Sequence, residues 1–134
     1  MTAITILQEL IDTITDNGDD DAVYAATVAA ARIASHAAAA EPDDFTAQRW
    51  DFASLSLEHA AAALRHPGTI EAAVHLDPIT AEDLPEITTL LHTLLTALLE
   101  SCGSPAVPAA VSGRRGEAPN IAVAGLRQAA GELP

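Results

Sequence analysis

The sequence feature that most constrains the fold is the stretch AATVAAARIASHAAAA, Ala25 to Ala40, in which ten of sixteen residues are alanine. Alanine has the highest helix propensity, and leucine follows it closely. The chain of 134 residues repeats this bias, with 30 alanines and 15 leucines against four aromatic residues. The sequence therefore predicts an all-α fold, and its length is sufficient for an independent core.

An alanine-rich helix is smooth, so a neighbouring helix can approach it at or below the usual 8–10 Å. Two interpretations follow from this property. The helix is either central and closely packed, or it presents an alanine face to another copy or a partner. On the second interpretation, the interface residues are Ala26, Ala30, Ile33 and Ala37.

Hydrophobic periodicity and capping residues place the remaining helices. We predict an antiparallel bundle of four main helices, joined by short connections, plus a short helix and a loosely attached C-terminal segment. The four main helices are expected at 2–16, 20–40, 43–66 and 84–101, the short helix at 69–76 and a weak final helix at 121–133.

The charge distribution divides the chain at the same place as the composition. Residues 1–104 contain 17 acidic residues and three arginines, for a net charge of −14, whereas residues 105–134 have a net charge of +1. We therefore expect an acidic helical bundle over residues 1–104. Residues 105–134 are expected to form a linker containing Pro and Gly, followed by the weak C-terminal helix.

Several reactive chemistries lack the residues that they require. The chain has no lysine, which excludes a Schiff-base or Walker A lysine. Cys102 is the only cysteine, the acidic run at 16–21 does not fit an EF-hand, and the histidines lack zinc-site spacing. No serine lies in a GxSxG motif. We predict no catalytic residue, no metal site and no cofactor, and we expect the chain not to be an enzyme.

Three of the four aromatic residues, Phe45, Trp50 and Phe52, lie close together in the third predicted helix. Aromatic residues at helical spacing most often belong to the core, and this is the first interpretation. The second is a ligand pocket between helices. Its expected residues are Trp50, Phe52, His59 and His92.

The net charge of −13 indicates which surfaces the chain avoids. It repels nucleic acid phosphates and anionic membranes. The N-terminus lacks the basic start of a signal peptide, and the apolar segment 87–99 is too short to span a bilayer. With a single cysteine, the chain is expected to be cytoplasmic.

These observations leave three classes of function. We predict first a non-enzymatic interaction or self-association module, either a homo-oligomer (a dimer) or bound to a protein partner. The first alternative is a small-molecule-binding protein or unusual enzyme with a pocket between helices. The second alternative is an acidic nucleic-acid mimic that blocks a basic protein, for which charge is the motivation.

Overall fold

The computed structural model of the chain describes residues 2–65, 75–103 and 117–134; of residues 103 and 117–120 it describes the backbone. The described residues form helices and turns with no strand, which confirms the all-α prediction. In chain order the elements are α1 (Ala3–Asn17), α2 (Asp20–Ala40), α3 (Asp44–Leu64), a 3₁₀ turn (Ala81–Asp83), α4 (Leu84–Gly103) and α5 (Glu117–Glu132).

Side-chain caps determine where the first three helices begin. The capping residues are Thr2, Asp19 and Asp43, and each accepts a hydrogen bond from the backbone amide three residues later, at 3.2, 2.8 and 2.9 Å. These bonds satisfy amides that a helix N-terminus otherwise leaves free. The side-chain and backbone hydrogen bonds from Thr46 also lower the pKa of the Asp43 carboxyl group.

The helix bounds agree closely with the sequence prediction where the caps and periodicity are strong. Helix α2 has the predicted bounds, α1 is displaced by one residue, and α3 ends at Leu64 rather than at residue 66. Of the predicted short helix at 69–76, only residues 75 and 76 are described, and they are not helical. Residues 104–116, which contain most of the predicted linker, lie outside the described residues.

Helix α4 supplies the leucine-rich part of the core. Its side chains without exposed surface are Ile87, Leu91, Leu94, Leu95 and Leu98. Helix α1 packs mainly against α4 and contributes the fully buried Leu7. This side of the molecule is filled by large branched side chains at helical spacing, as the sequence pattern predicts.

A different kind of packing joins α2 to α3, which have the most extensive contact among the described helices. Small buried side chains from both helices lie at this contact. Ser54 of α3 donates a hydrogen bond through its Oγ to the Ala31 carbonyl oxygen of α2, at 2.8 Å. We call this contact the alanine seam. Its buried alanines include Ala31 of α2 and Ala61 of α3, which line one groove between the two helices.

The structure buries the four residues of the predicted alanine interface. Ala26, Ala30, Ile33 and Ala37 each have 0% exposed surface, because α2 lies against α1, α3 and α4 of the same chain. They therefore cannot meet a second protein without unfolding the domain. The other interpretation of the alanine-rich helix, a central and closely packed element, describes the structure.

The C-terminal helix also differs from the expectation of a weak, loosely attached segment. Helix α5 packs against α3 and α4, and Ala122, Leu126 and Ala129 have no exposed surface. Its end is fixed by Arg49 of α3, whose Nε and Nη2 donate to the carbonyl oxygens of Glu132 at 3.2 Å and Leu133 at 2.8 Å. Helix α5 is thus an integral part of the core.

Among the described helices, none combines the length and the apolar character that crossing a bilayer requires.

Candidate functional site: an apolar groove between α3 and α5

A groove of about 350 Å³ runs along the surface between α3 and α5. We call it the α3–α5 groove. Both walls are formed by residues spaced three or four apart, which places them on one face of each helix. The lining residues are Phe52, Leu55, Ser56 and His59 of α3 and Ile121, Ala124, Gly125, Gln128 and Glu132 of α5.

Glycine in α5 allows the two helices to approach closely at the floor of the groove. A Cβ atom added to Gly125 would lie 3.0 Å from the Ala60 Cβ and 3.1 Å from the Ser56 carbonyl oxygen. These distances are tighter than ordinary contacts between carbon atoms. The absence of a side chain at position 125 therefore determines how deeply α5 sits on α3.

Four large apolar side chains are exposed on this part of the surface, three of them lining the groove and Phe45 outside it. Phe45 is 74% exposed, Phe52 57%, Leu55 51% and Ile121 57%. Phe45 precedes Phe52 by seven residues, so it lies on the same stripe of α3, about 10.5 Å away along the helix axis. We call these four residues the α3–α5 face.

The exposure of Phe45 and Phe52 contradicts the first interpretation of the aromatic cluster. Only Trp50 belongs to the core, with 0% exposed surface. Phe45 and Phe52 lie on one side of α3, just outside the part of its surface that contacts α2 and α5. Trp50 and Leu57 lie within that part of the surface and are fully buried.

The groove is close to neutral although the chain as a whole is strongly acidic. Glu132 is the only carboxylate among its lining residues, and its Oε1 accepts a hydrogen bond from Ser56 Oγ at 2.7 Å. Because this hydrogen bond directs the Ser56 proton to Glu132, Ser56 is not paired with His59 as a nucleophile with its base. The arrangement is suited to binding an apolar side chain rather than to acyl transfer.

The four residues predicted as one pocket occupy three places. Phe52 and His59 both line the α3–α5 groove. Trp50 lines a separate groove of about 380 Å³, between the α2–α3 turn and the start of α4. His92 is exposed on α4 and lines neither groove. The structure therefore does not bring these four side chains together.

Sequence reasoning missed the α5 half of the site. Its signal is present at Ala122, Leu126, Ala129 and Leu133, which recur at four, three and four residues and are all buried. Two of the four are alanines, and Gly125 and Gly131 interrupt the helix, so the pattern indicates a weak helix by composition alone. Leu55, three residues after Phe52, was the other available signal.

The remaining candidate groups do not assemble into a reactive centre in the described part of the chain. No group of three or more His, Cys, Asp or Glu side chains there could hold a metal ion. Cys102 is half-buried, and burial, with a smaller contribution from the Asp20 carboxylate, raises the pKa of its thiol. A raised pKa disfavours the reactive thiolate. The arginine pair at 114–115 lies outside the described residues.

No protein-family model matches the chain, and comparisons with curated proteins and with solved structures found no match either.

Proposed function

We propose that the chain is a non-enzymatic self-association module and that the α3–α5 face binds the same face of a second copy. The observation that carries this proposal is the exposure of Phe52, Leu55 and Ile121 in one groove, with the exposed Phe45 on the same stripe of α3 as Phe52. In the described part of the chain the other large apolar residues are buried or half-buried, so such a cluster marks an interaction surface.

The exposed area supports an interface of ordinary size. An aromatic side chain buries roughly 150–250 Å² when fully covered, so the four exposed fractions together represent on the order of 450 Å² of surface. A standard interface buries about 800 Å² per partner, of which roughly 56–65% is apolar. The apolar area of the α3–α5 face is therefore close to what such an interface contains.

The shape of the face favours a second copy as the occupant. A two-fold dimer joins the same surface patch of both chains, so the patch must carry a projection and a matching depression. Phe45 projects from α3, and the groove lies two helical turns further along the same stripe. In a two-fold arrangement, Phe45 of each copy would enter the groove of the other.

Charge supports placing a contact between copies at this face. Two copies with a net charge of −13 each repel one another. The groove contains one carboxylate, that of Glu132, so its own lining adds little to this repulsion. Salt screens the repulsion between copies, so self-association is expected to strengthen as ionic strength rises. Binding of a basic protein partner would weaken under the same change.

The test is the mass of the protein in solution, measured by sedimentation velocity at low and high ionic strength. We expect a species of twice the 13.8 kDa chain mass, populated more at high salt. Phe52→Arg is expected to give a monomer, whereas Ala39→Arg, which adds the same charge at an exposed position of α2, is expected to leave the dimer intact.

Circular dichroism establishes that both variants are folded before their masses are compared. A wild-type chain that is monomeric at every salt concentration contradicts the proposal. A dimer that persists in Phe52→Arg contradicts the location of the interface. Binding to basic proteins that weakens with salt would support the acidic-mimic alternative instead.

We further propose that α1 to α4 form an antiparallel bundle that presents the α3–α5 face, in a cytoplasmic protein. The connections of two residues between α1 and α2 and three between α2 and α3 support this arrangement. Tyr24 near the start of α2 also lines one groove with Ala61 near the end of α3. Spin labels at exposed Ala25 and Ala62 should lie closer together than labels at Ala25 and Gln48.

A further inference from the structure

Trp50 presents a polar atom that the described part of the chain leaves without a partner. Its side chain has 0% exposed surface, and its Nε1 is the buried side-chain nitrogen or oxygen there that has no hydrogen-bond partner. Buried indole N–H groups usually donate a hydrogen bond. An unpaired donor of this kind in a native core calls for an acceptor that something else supplies.

Trp50 also lines a groove of about 380 Å³. We call it the Trp50 groove. It lies where the α2–α3 turn, the start of α4 and Pro134, two residues after α5, meet. Its walls are largely apolar and include Pro42, Leu84, Pro85 and Pro134. Prolines have no backbone N–H to donate, so the indole is a rare donor in these walls.

Two other side chains that line this groove offer acceptors. The Thr88 hydroxyl donates its proton to the Leu84 carbonyl oxygen at 2.9 Å, which leaves its oxygen free to accept. The Glu41 carboxylate, which accepts from the Asp43 amide at 3.2 Å, carries the only side-chain charge among the lining residues. The groove thus combines one donor with two acceptors on an apolar surface.

We propose that the Trp50 groove binds a neutral small molecule with an apolar body and a primary amide, whose carbonyl oxygen accepts from Trp50 Nε1. The amide NH₂ group donates to Glu41 or Thr88, and the apolar body packs against Leu84 and the prolines. The charge of Glu41 and the net charge of −13 select against a carboxylate in the same position.

Binding at this donor requires a movement at the rim. Nε1 has less than 1 Å² of exposed surface, so an acceptor reaches it only when a neighbouring side chain shifts. Glu41 is the rim group best placed to move, because it is half-buried in the α2–α3 turn and its hydrogen bond to the Asp43 amide is long. The ligand therefore selects an open form of the rim.

The experiment uses the fact that Trp50 is the only tryptophan of the chain, so a ¹⁵N-labelled sample gives one indole N–H resonance. Benzamide serves as the probe and benzoate as its charged control of the same shape. We expect benzamide to move the indole resonance downfield in a saturable way, together with the backbone amides of Leu84 and Thr88. The dissociation constant is expected on the order of millimolar, as for other ligands of this size.

Trp50→Phe removes the donor and keeps an aromatic ring in the core. If this variant remains folded by its amide spectrum, we expect the benzamide shifts at Leu84 and Thr88 to be lost. Glu41→Gln, which keeps the shape of the rim, provides a second variant and is expected to reduce the discrimination against benzoate.

Three results would overturn the proposal. They are an indole resonance that benzamide does not move, an equal response to benzoate in the wild type, and benzamide shifts confined to the α3–α5 groove. None of these results depends on the oligomeric state, so the outcome is independent of the proposed self-association.

Discussion

Replacing Gly125 by alanine is expected to destabilise the chain, whereas the same replacement at Gly131 is expected to stabilise it. Both glycines lie in α5. In a helix, alanine is favoured over glycine by about 0.5–1 kcal/mol. A Cβ at Gly131 meets nothing within 4 Å, so no steric cost opposes the gain in helix propensity. The gain is expected at the lower end of this range, because the position is close to the helix end.

At Gly125 the same gain is opposed by a steric cost. The added Cβ would lie 3.0 Å from the Ala60 Cβ and 3.1 Å from the Ser56 carbonyl oxygen. The carbonyl belongs to the backbone of α3, which cannot turn aside as the end of a side chain can. Overpacking of this kind costs about 1–3 kcal/mol. Because the propensity terms nearly cancel between the two variants, their difference in stability should also be about 1–3 kcal/mol.

The assay is urea denaturation followed by helical circular dichroism and by the fluorescence of Trp50. At this chain length, 1 kcal/mol corresponds to about 4 °C in Tm, so thermal melts provide a second measurement. If Gly125→Ala and Gly131→Ala stabilised the chain equally, α5 would not lie as close to α3 as the structure places it. The C-terminal segment would then be loosely attached, as its composition suggested.

Further predictions concern the core and the one thiol. Ala30→Arg, at a position of α2 with 0% exposed surface, is expected to prevent folding, whereas the exposed Ala39→Arg retains the wild-type helical signal in circular dichroism. Ser54→Ala removes the 2.8 Å hydrogen bond to the Ala31 carbonyl oxygen and should cost about 1 kcal/mol in urea denaturation. Cys102 should react with iodoacetamide more slowly than free cysteine at pH 8, because its pKa is raised above 9.0. The pKa of the Cys102 thiol is higher in the folded state than in the unfolded state, so the folded protein holds the thiol proton more tightly. The contribution of this group to the free energy of unfolding is therefore complete below pH 9.0 and is lost as the pH rises through the folded-state pKa. A free energy of unfolding that stays constant above pH 9.0 would contradict this prediction.

The sequence predicted those parts of the fold that depend on local chemistry. Asp19 and Asp43 cap helices through their own side chains, so the starts of α2 and α3 could be located from single residues and their neighbours. The line of leucines in α4 likewise carries its own periodicity. Both kinds of signal are local, because they involve residues within a few positions of one another.

The parts of the fold that the sequence could not predict depend on which faces of the helices pack against one another. Helix α2 has alanine on most of its circumference, so its composition alone does not distinguish a buried side from an exposed one. In α5, Gly125 taken alone predicts a weak helix. Its close approach to Ala60, which only the structure shows, explains why a residue without a side chain is needed there. Phe45 and Phe52 are exposed for the same reason, since only the docking of α2 and α5 decides which arc of α3 is covered.

The candidate site was anticipated only in fragments. Phe52 and His59 share the α3–α5 groove, because residues seven apart lie on one stripe of a helix. Trp50 lies within the buried arc of α3 and faces a different groove. Ile121 and Gln128 join the site across more than sixty residues of sequence, a separation that no local pattern reveals.

The alanine seam between α2 and α3 has a consequence for how this sequence can change over time. An alanine at this buried contact, such as Ala31 or Ala61, can be replaced by glycine only at the expense of the helix. Every other replacement enlarges the side chain. The leucines of α4 can exchange with isoleucine or methionine at modest cost. Sequence drift in related proteins should therefore be slow along the alanine seam and faster in the leucine-rich half of the core, although both are buried.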